Sequence, residues 1–205
     1  MPLLFAFLAA IILIPYGAVD VLVTDAKHVP ASTELILTLA EVALVNPFIA
    51  AMQMQALLDL GDGRRPAVAS VVARGVKVLA VVAAADIVAS LVAFGGLFFF
   101  IIPGLLAAIR LAVVAPAAAA EGIAWPDALR SSVQLTAGNS WRVLGLLAIQ
   151  AAVTYVVALM LASNAISVAI VGAALAIVAQ SFCTLLIGLL YFDLRARAAA
   201  SVASQ

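Results

Sequence analysis

Ionisable side chains that interrupt long apolar runs are the residues of this chain whose type and position could do chemistry. Four such groups occur in the sequence: Asp20, Glu41, Asp86 and Arg110. A charge at membrane depth is costly and marks a functional site by default, because it must pair with another group or line a water-filled cavity. Asp20 lies near the end of its apolar run, where a carboxylate can reach water. The other three are therefore the candidates.

Asp86 and Arg110 are predicted to form an ion pair. Counted from the inner ends of their apolar runs at a rise of about 1.5 Å per residue, they lie at similar depth in two consecutive antiparallel helices. We favour a structural pair that locks two helices over a coupling or substrate-binding site, because one matched pair needs no ligand to explain it. The alternative for Arg110 is that its guanidinium extends to the inner headgroups.

Glu41 has no cation at its depth and belongs to a second candidate, a polar track of Glu41, Asn46, Gln150 and Gln180. The three carboxamides fall near mid-depth on three different apolar runs. A track of this kind could line a wet cavity and serve transport. Amides in membrane bundles more often hydrogen-bond between helices, and we favour that packing interpretation.

Catalytic and metal-binding motifs are missing from the sequence. The single histidine, His28, completes neither an HExxH zinc motif nor a Ser-His-Asp triad. No Walker-type loop occurs, and residues 61–63 are predicted to form a turn. Asp59 and Asp62 lie beside arginines in a loop, which favours ordinary surface carboxylates over an aspartyl dyad. Cys183 is interpreted as a small apolar packing residue. We therefore expect neither enzyme activity nor a metal or cofactor.

The elements that must position these groups are membrane helices. Of the 205 residues, 67% are hydrophobic and 10% are charged, whereas soluble domains are about half apolar and about a quarter charged. A spanning helix needs about 20 mostly apolar residues, and such runs leave no polar stretch long enough for a separate soluble domain. The formal net charge is +0, so the chain has no nucleic-acid footprint.

The apolar runs predict an all-α fold: a polytopic membrane helical bundle with six transmembrane helices. Four spans are predicted at residues 3–23, 34–58, 141–161 and 166–191, and two more within residues 78–120. Because residues 78–120 are about twice the length of one span, they must turn once. The turn is placed at Gly95-Gly96 or, as an alternative, at Pro103-Gly104. Between spans 4 and 5, Pro126 can begin and Gly138 can end a short interfacial helix.

The basic residues predict the orientation. Six spans place both termini on one side, and nine of the 10 Lys and Arg residues then belong to that side, with Lys27 alone on the other. The positive-inside rule makes the basic side cytoplasmic, so the topology is N-in and C-in. Residues 1–197 are expected to form a single six-span domain and residues 198–205 a short cytoplasmic tail. The apolar run at residues 2–23 lacks a basic n-region and a cleavage site, so we expect a retained helix.

Residues 101–197 carry a pattern of motifs that resembles a known family. The motifs are Ile101-Ile102-Pro103-Gly104, Arg110, Pro116, Glu121-Gly122, residues 128–132, Leu135, Gly138, residues 141–145 and residues 190–197. Their order and spacing resemble the membrane domain of glycerophosphoryl diester phosphodiesterases and its stand-alone bacterial relatives. The first half of the chain is similar in hydropathy and in its Gly-Asp-Gly loop. The family's catalytic residues lie in a soluble barrel that this sequence lacks, so the resemblance implies no enzyme. It implies an amphipathic segment upstream of the first span.

The shared motifs gather at the predicted cytoplasmic face. We expect a network there that holds the short helix against the bundle, formed by Glu121, Arg130, Arg142, Asp193 and Arg195. Trp141 and Tyr191 suit the membrane interface, where amphipathic rings settle. A structural clasp is favoured over a docking site for a lipid headgroup or a cytoplasmic partner.

The sequence therefore predicts a non-enzymatic integral membrane protein of the bacterial plasma membrane. The expected role is that of an accessory or scaffold component in membrane or lipid homeostasis. Its expected partners are membrane lipids and a membrane protein or a second copy of the chain, with no nucleic acid. The alternative is a small transporter or lipid-handling permease that uses the polar track. A continuous wet cavity would support the alternative, and a dry, alanine-packed centre would count against it.

Overall fold

The computed structural model describes residues 2–24, 30–162 and 166–203, and within these ranges the ordered elements are all helical. The helices are α1 (Pro2–Thr24), α2 (Ala31–Ala40), α3 (Asn46–Gly61), α4 (Val68–Phe99), α5 (Ile101–Leu111), α6 (Val114–Glu121), α7 (Trp125–Thr136), α8 (Ser140–Leu161) and α9 (Ile166–Ala203). Lys27, His28 and the side chain of Asp20 lie outside the described part of the chain.

Five helical segments are long and apolar enough to cross a membrane. They are Leu35–Gly61, Val68–Phe99, Ile101–Glu121, Ser140–Leu161 and Val171–Ala200. A shorter apolar stretch, Leu4–Gly17, lies within α1. The prediction of an all-helical, multi-pass membrane protein is confirmed at this level. The physical reason is that a backbone in hydrocarbon must satisfy its own hydrogen bonds, which apolar helices do.

A π-helical turn, Glu41–Val45, joins α2 to α3 without interrupting the helical path. Within it the N–H of Asn46 donates to the carbonyl of Glu41, five residues back. The cause is Pro47, which has no N–H to donate and whose ring would clash with the carbonyl four residues earlier. The wider turn relieves that clash and sets the direction in which Asn46 points.

The connection between α4 and α5 is the single extended residue Phe100, with φ −153° and ψ 126°. Both positions predicted for this turn are wrong, since Gly95-Gly96 belongs to α4 and Pro103-Gly104 to the first turn of α5. The glycines instead let the two backbones approach. A Cβ on Gly104 would lie 2.2 Å from the backbone nitrogen of Leu97. Close approach, rather than turn conformation, is what requires glycine here.

A break between α5 and α6 precedes Pro116, which cannot complete the helical hydrogen bond to Ala112. The short helix α7 packs against this break and against α4 and α9. Its buried face carries Ser132, whose hydroxyl donates to the carbonyl of Arg110 at 2.8 Å. Thr136 donates to the same carbonyl at 3.3 Å. A carbonyl at the end of α5 is thus satisfied by α7.

The core of the bundle is rich in alanine and glycine. Buried residues from α3, α4, α6, α7, α8 and α9 form one cluster in which Ala85, Ala117 and Ala118 are fully enclosed. Gly188 of α9 lies so close to α3 that an added Cβ would be 2.7 Å from Cδ1 of Leu57. Small residues let membrane helices pack closely. A larger space, partly open to the outside of the bundle, lies beside this close packing and is described next.

Candidate functional site

A cavity of about 550 Å³ lies between α3, α4, α6, α8 and α9. Its apolar lining includes Met54, Phe94 and Ile187, and its polar lining consists of Asn46, Asp86, Gln150, Thr154, Gln180 and Thr184. Small-molecule sites typically enclose about 300–1,000 Å³ and combine an apolar wall with a few convergent polar groups. By size and by lining, this space, which we call the central cavity, is the candidate binding site.

Helical spacing brings the polar groups to the central cavity. Gln150 and Thr154 lie four residues apart on α8, and Gln180 and Thr184 have the same spacing on α9. Residues four apart share a helix face, so each pair presents both of its side chains to the same space. Asp86 reaches the cavity from the middle of α4. The two four-residue spacings were visible in the sequence, but the threonines were not recognised as part of the site.

Hydrogen bonds connect some of these polar groups, but one buried acceptor among them has no hydrogen-bond partner among the described residues. The amide nitrogen of Gln180 donates to Oδ1 of Asn46 at 3.2 Å, and the hydroxyl of Thr184 donates to the carbonyl of Gln180 at 2.9 Å. Oε1 of Gln150 is buried and has no hydrogen-bond partner among the residues described. A buried acceptor without a partner costs about 1–3 kcal/mol. The central cavity therefore offers an acceptor that a donor on a ligand would satisfy.

The predicted polar track is assembled in part. Asn46, Gln150 and Gln180 meet at the central cavity, and Gln180 bonds to Asn46. Glu41 lies in the π-helical turn one turn before Asn46 and does not line the cavity. The carboxyl group that does line it is that of Asp86. The π-helical turn explains the difference, because it rotates the residues before Pro47 relative to those after it.

Asp86 and Arg110 do not form the predicted ion pair. Arg110 lies at the end of α5, and its Nη1 is directed to the carbonyl of Val133 on α7 at 3.5 Å. Asp86 faces the central cavity, and none of the ion pairs among the described residues includes it. A shared depth for the two side chains would require one unbroken helix after the turn. The break before Pro116 and the packing of α7 turn Arg110 away from α4.

A second group of polar side chains joins α6 to the end of α9. The hydroxyl of Tyr191 donates to Oε1 of Glu121 at 2.6 Å, and Nη1 of Arg195 donates to the Tyr191 oxygen at 3.1 Å. Arg195 also lies 3.7 Å from Oε1 of Glu121. The Tyr191 side chain is fully buried within the protein. Its hydroxyl links Glu121 to Arg195, two charged residues that were predicted to belong to one network.

The rest of the predicted network is divided. Nη1 of Arg142 lies 3.7 Å from Oδ2 of Asp193, which Nε of Arg197 contacts at 2.8 Å. Arg130 pairs instead with Asp127 of its own helix, and its side chain is 78% exposed. The charges therefore connect α6 and α8 to α9 and do not clasp the short helix. Helix α7 is held in place instead by the hydroxyls of Ser132 and Thr136, which bond to the carbonyl of Arg110 at the end of α5.

An ion pair with a buried carboxylate, which the sequence analysis missed, joins the end of α3 to the second turn of α4. Both carboxylate oxygens of Asp59 accept from the two terminal nitrogens of Arg74, and Nη2 of Arg64 lies 3.5 Å from Asp59. The Asp59 side chain is only 6% exposed, so its interpretation as a surface carboxylate is wrong. Asp62 is exposed, as expected. The sequence feature that indicates this ion pair is an acidic residue at the end of one helix followed by a basic residue two turns into the next.

Clusters of metal ligands are absent from the described ranges. No group of three or more His, Cys, Asp or Glu side chains there could hold a metal ion. Cys183 is buried and has no disulfide partner among them. The chain matches no protein-family model, no curated protein and no solved structure. Its function is therefore inferred from the central cavity and from the charged end of the bundle. The charged end consists of Glu121, Asp127, Arg130, Arg142, Asp193, Arg195 and Arg197.

Proposed function

We propose that this protein is a small permease that binds an amphiphilic molecule in the central cavity and moves it within or across a membrane. The observation that carries the proposal is the mixed lining of this cavity inside a bundle of apolar helices. Polar side chains are costly at membrane depth and are kept there for a function. An alanine-packed centre without this space would have favoured a purely structural role.

The topology proposed for the permease has six spans, with both termini in the cytoplasm. Helix α1 has 23 residues, enough to cross a hydrocarbon core that needs about 20. The basic side chains of the α3–α4 loop and of the end of α9 support one shared, positively charged side, which the positive-inside rule assigns to the cytoplasm. Helix α7 would then lie near that interface. A bacterial plasma membrane and a lipid-related substrate are part of the proposal, in keeping with the motifs of residues 101–197 that resemble the phosphodiesterase membrane domain.

Water access to the central cavity tests the proposal. In a Cys183→Ala background, Thr184→Cys places a thiol in the cavity, and Phe182→Cys places one on an exposed position of α9. Two residues correspond to about 200° of rotation around a helix, so these positions point in opposite directions. Thiolates attack methanethiosulfonates and form a mixed disulfide with release of methanesulfinate, and thiolates form in water and not in hydrocarbon.

We expect Thr184→Cys to react in intact membranes and Phe182→Cys to be protected by lipid. The measurement is the fraction of thiol modified with time, read by mass spectrometry of the purified protein. Protection of Thr184→Cys against reagents added on both sides, in a variant that purifies as a monodisperse fold, would contradict the permease.

The accessory or scaffold role is the second candidate, and the exposed arginines of the charged end favour it. The side chains of Arg130 and Arg142 are 78% and 55% exposed, and such guanidinium groups can bind acidic surfaces of a partner or anionic lipid headgroups. A double charge reversal, Arg130→Glu with Arg142→Glu, tests this role. Release of a co-purifying membrane protein by this variant, with Thr184→Cys unreactive, would favour the accessory role over the permease.

A further inference from the structure

We propose that the central cavity recognises an amphiphilic organic cation, and that Asp86 is the counter-ion of its ammonium group. The inference rests on the proposed permease function and names its substrate class. The expected ligand carries one positive charge, as a protonated or quaternary amine, on an apolar body.

The charge of the lining carries the first step. Among the described residues that line the central cavity, Asp86 is the one ionisable side chain, and the other polar groups are neutral amides and hydroxyls. In the described part of the chain, Asp86 belongs to no ion pair. A carboxylate removed from water needs a positive partner to offset its lost hydration. Arg110, the partner predicted from the sequence, is directed to α7. A cationic ligand would supply the partner.

The hydrogen-bonding groups carry the second step. Oε1 of Gln150 is a buried acceptor without a partner among the described residues, and the carboxylate of Asp86 only accepts. A protonated amine has N–H donors and no acceptor, so it complements these oxygens, whereas a quaternary amine meets only the charge of Asp86. An anionic head would bring further acceptors and would be repelled by Asp86. The site thus favours donors with positive charge.

The apolar lining carries the third step. Met54, Phe94 and Ile187 contribute apolar surface to the same cavity, and the small residues Ala112 and Ala115 leave room beside them. An apolar body of the ligand would remove this surface from water. Because one carboxylate balances one charge, a second ammonium group would remain uncompensated. A monocation with an apolar body fits both features.

Charge-selective labelling tests the inference on the Thr184→Cys variant. The probes are a trimethylammonium-ethyl and a sulfonatoethyl methanethiosulfonate, each rate divided by the rate with free 2-mercaptoethanol. We expect a cation preference of about tenfold or more, since opposite charges in a partly desolvated site attract strongly. Asp86→Asn should reduce the preference to near unity, and Asp86→Glu should restore it. Asp127→Asn, which removes an exposed carboxylate on α7, is the matched control and should leave the preference unchanged.

Protection by a shaped ion is the second measurement. Tetraphenylphosphonium should slow the labelling of Thr184→Cys, and tetraphenylborate, with the same shape and the opposite charge, should not. Equal labelling by both reagents, unaffected by Asp86→Asn, would overturn the cation assignment and leave a permease for neutral molecules. An absence of labelling by either reagent would instead refute the permease itself, so the two failures are distinguishable. Recovery with Asp86→Glu separates loss of charge from loss of fold.

Discussion

Replacing Arg74 by methionine should destabilise the protein by about 1–3 kcal/mol, because it leaves the buried carboxylate of Asp59 without its main partner. Methionine retains most of the apolar stem of arginine, so the loss of packing is small. The Asp59 side chain is 6% exposed and uses both oxygens to bind Arg74. Breaking a fully buried pair costs about 3–5 kcal/mol, and because the Arg74 side chain is 36% exposed, solvent screening lowers this cost to about 2–4 kcal/mol.

Arg64 reduces that cost in part. Its guanidinium lies 3.5 Å from Asp59, but its side chain is 62% exposed, so its attraction is closer to the value of about 1 kcal/mol expected in water. Subtracting this contribution gives the expected range. Removing both charges, with Asp59→Asn and Arg74→Met together, should cost less than the sum of the two single changes, since no unpaired charge is left.

The assay is reversible unfolding in mixed micelles at increasing fractions of sodium dodecyl sulfate, followed by the fluorescence of Trp125 and Trp141. Arg130→Ala removes an exposed ion-pair partner and should change the free energy of unfolding by less than about 0.5 kcal/mol. If Arg74→Met had an effect as small as this control, or if the two single effects were additive within about 0.5 kcal/mol, the buried pair would not hold α3 to α4 and our reasoning would be refuted.

Two further predictions use the same unfolding assay. Gly104→Ala should destabilise the protein by about 3 kcal/mol, because its Cβ would lie 2.2 Å from the backbone of Leu97, which cannot rotate aside as a side chain can. The control is Gly95→Ala, which has no atom within 4 Å of the added carbon and should be neutral or slightly stabilising. Equal losses of stability in both variants would contradict the close approach of α4 and α5. Tyr191→Phe should lower the free energy of unfolding by about 1–2 kcal/mol, since it removes the hydroxyl that links α6 to α9. The control is Tyr155→Phe, at an exposed position, which should have little effect. A Tyr191→Phe protein as stable as the parent would show that this hydrogen bond is dispensable.

Local signals in the sequence predicted the ends of several helices correctly. The short helix expected between Pro126 and Gly138 is α7, Trp125–Thr136, and Gly138 has the positive φ of 79° that a glycine after a helix adopts. The predicted span at residues 141–161 is α8, Ser140–Leu161. These boundaries depend on residues within a few positions of them. That is why a pattern in the sequence is enough to find them.

The candidate site was predicted in part, because its members come from helices that meet only in the folded chain. Asn46, Gln150 and Gln180 were selected as polar residues in apolar runs, and they share the central cavity. Asp86 was assigned to a pair with Arg110, although it completes the cavity in place of Glu41. The depth of a residue follows from counting along a helix, but the direction of its side chain depends on breaks and π turns elsewhere.

The sequence by itself determined that the protein is all-helical and suited to a membrane, because apolar runs of this length can satisfy their backbones in hydrocarbon only as helices. It also determined which polar residues interrupt those runs. Only the tertiary structure decided that Asp86 faces a cavity, that Asp59 is buried against Arg74 and that Phe100 forms the turn between Gly96 and Gly104. The physical reason is that the rotation of each helix about its axis depends on close packing against all of its neighbours at once.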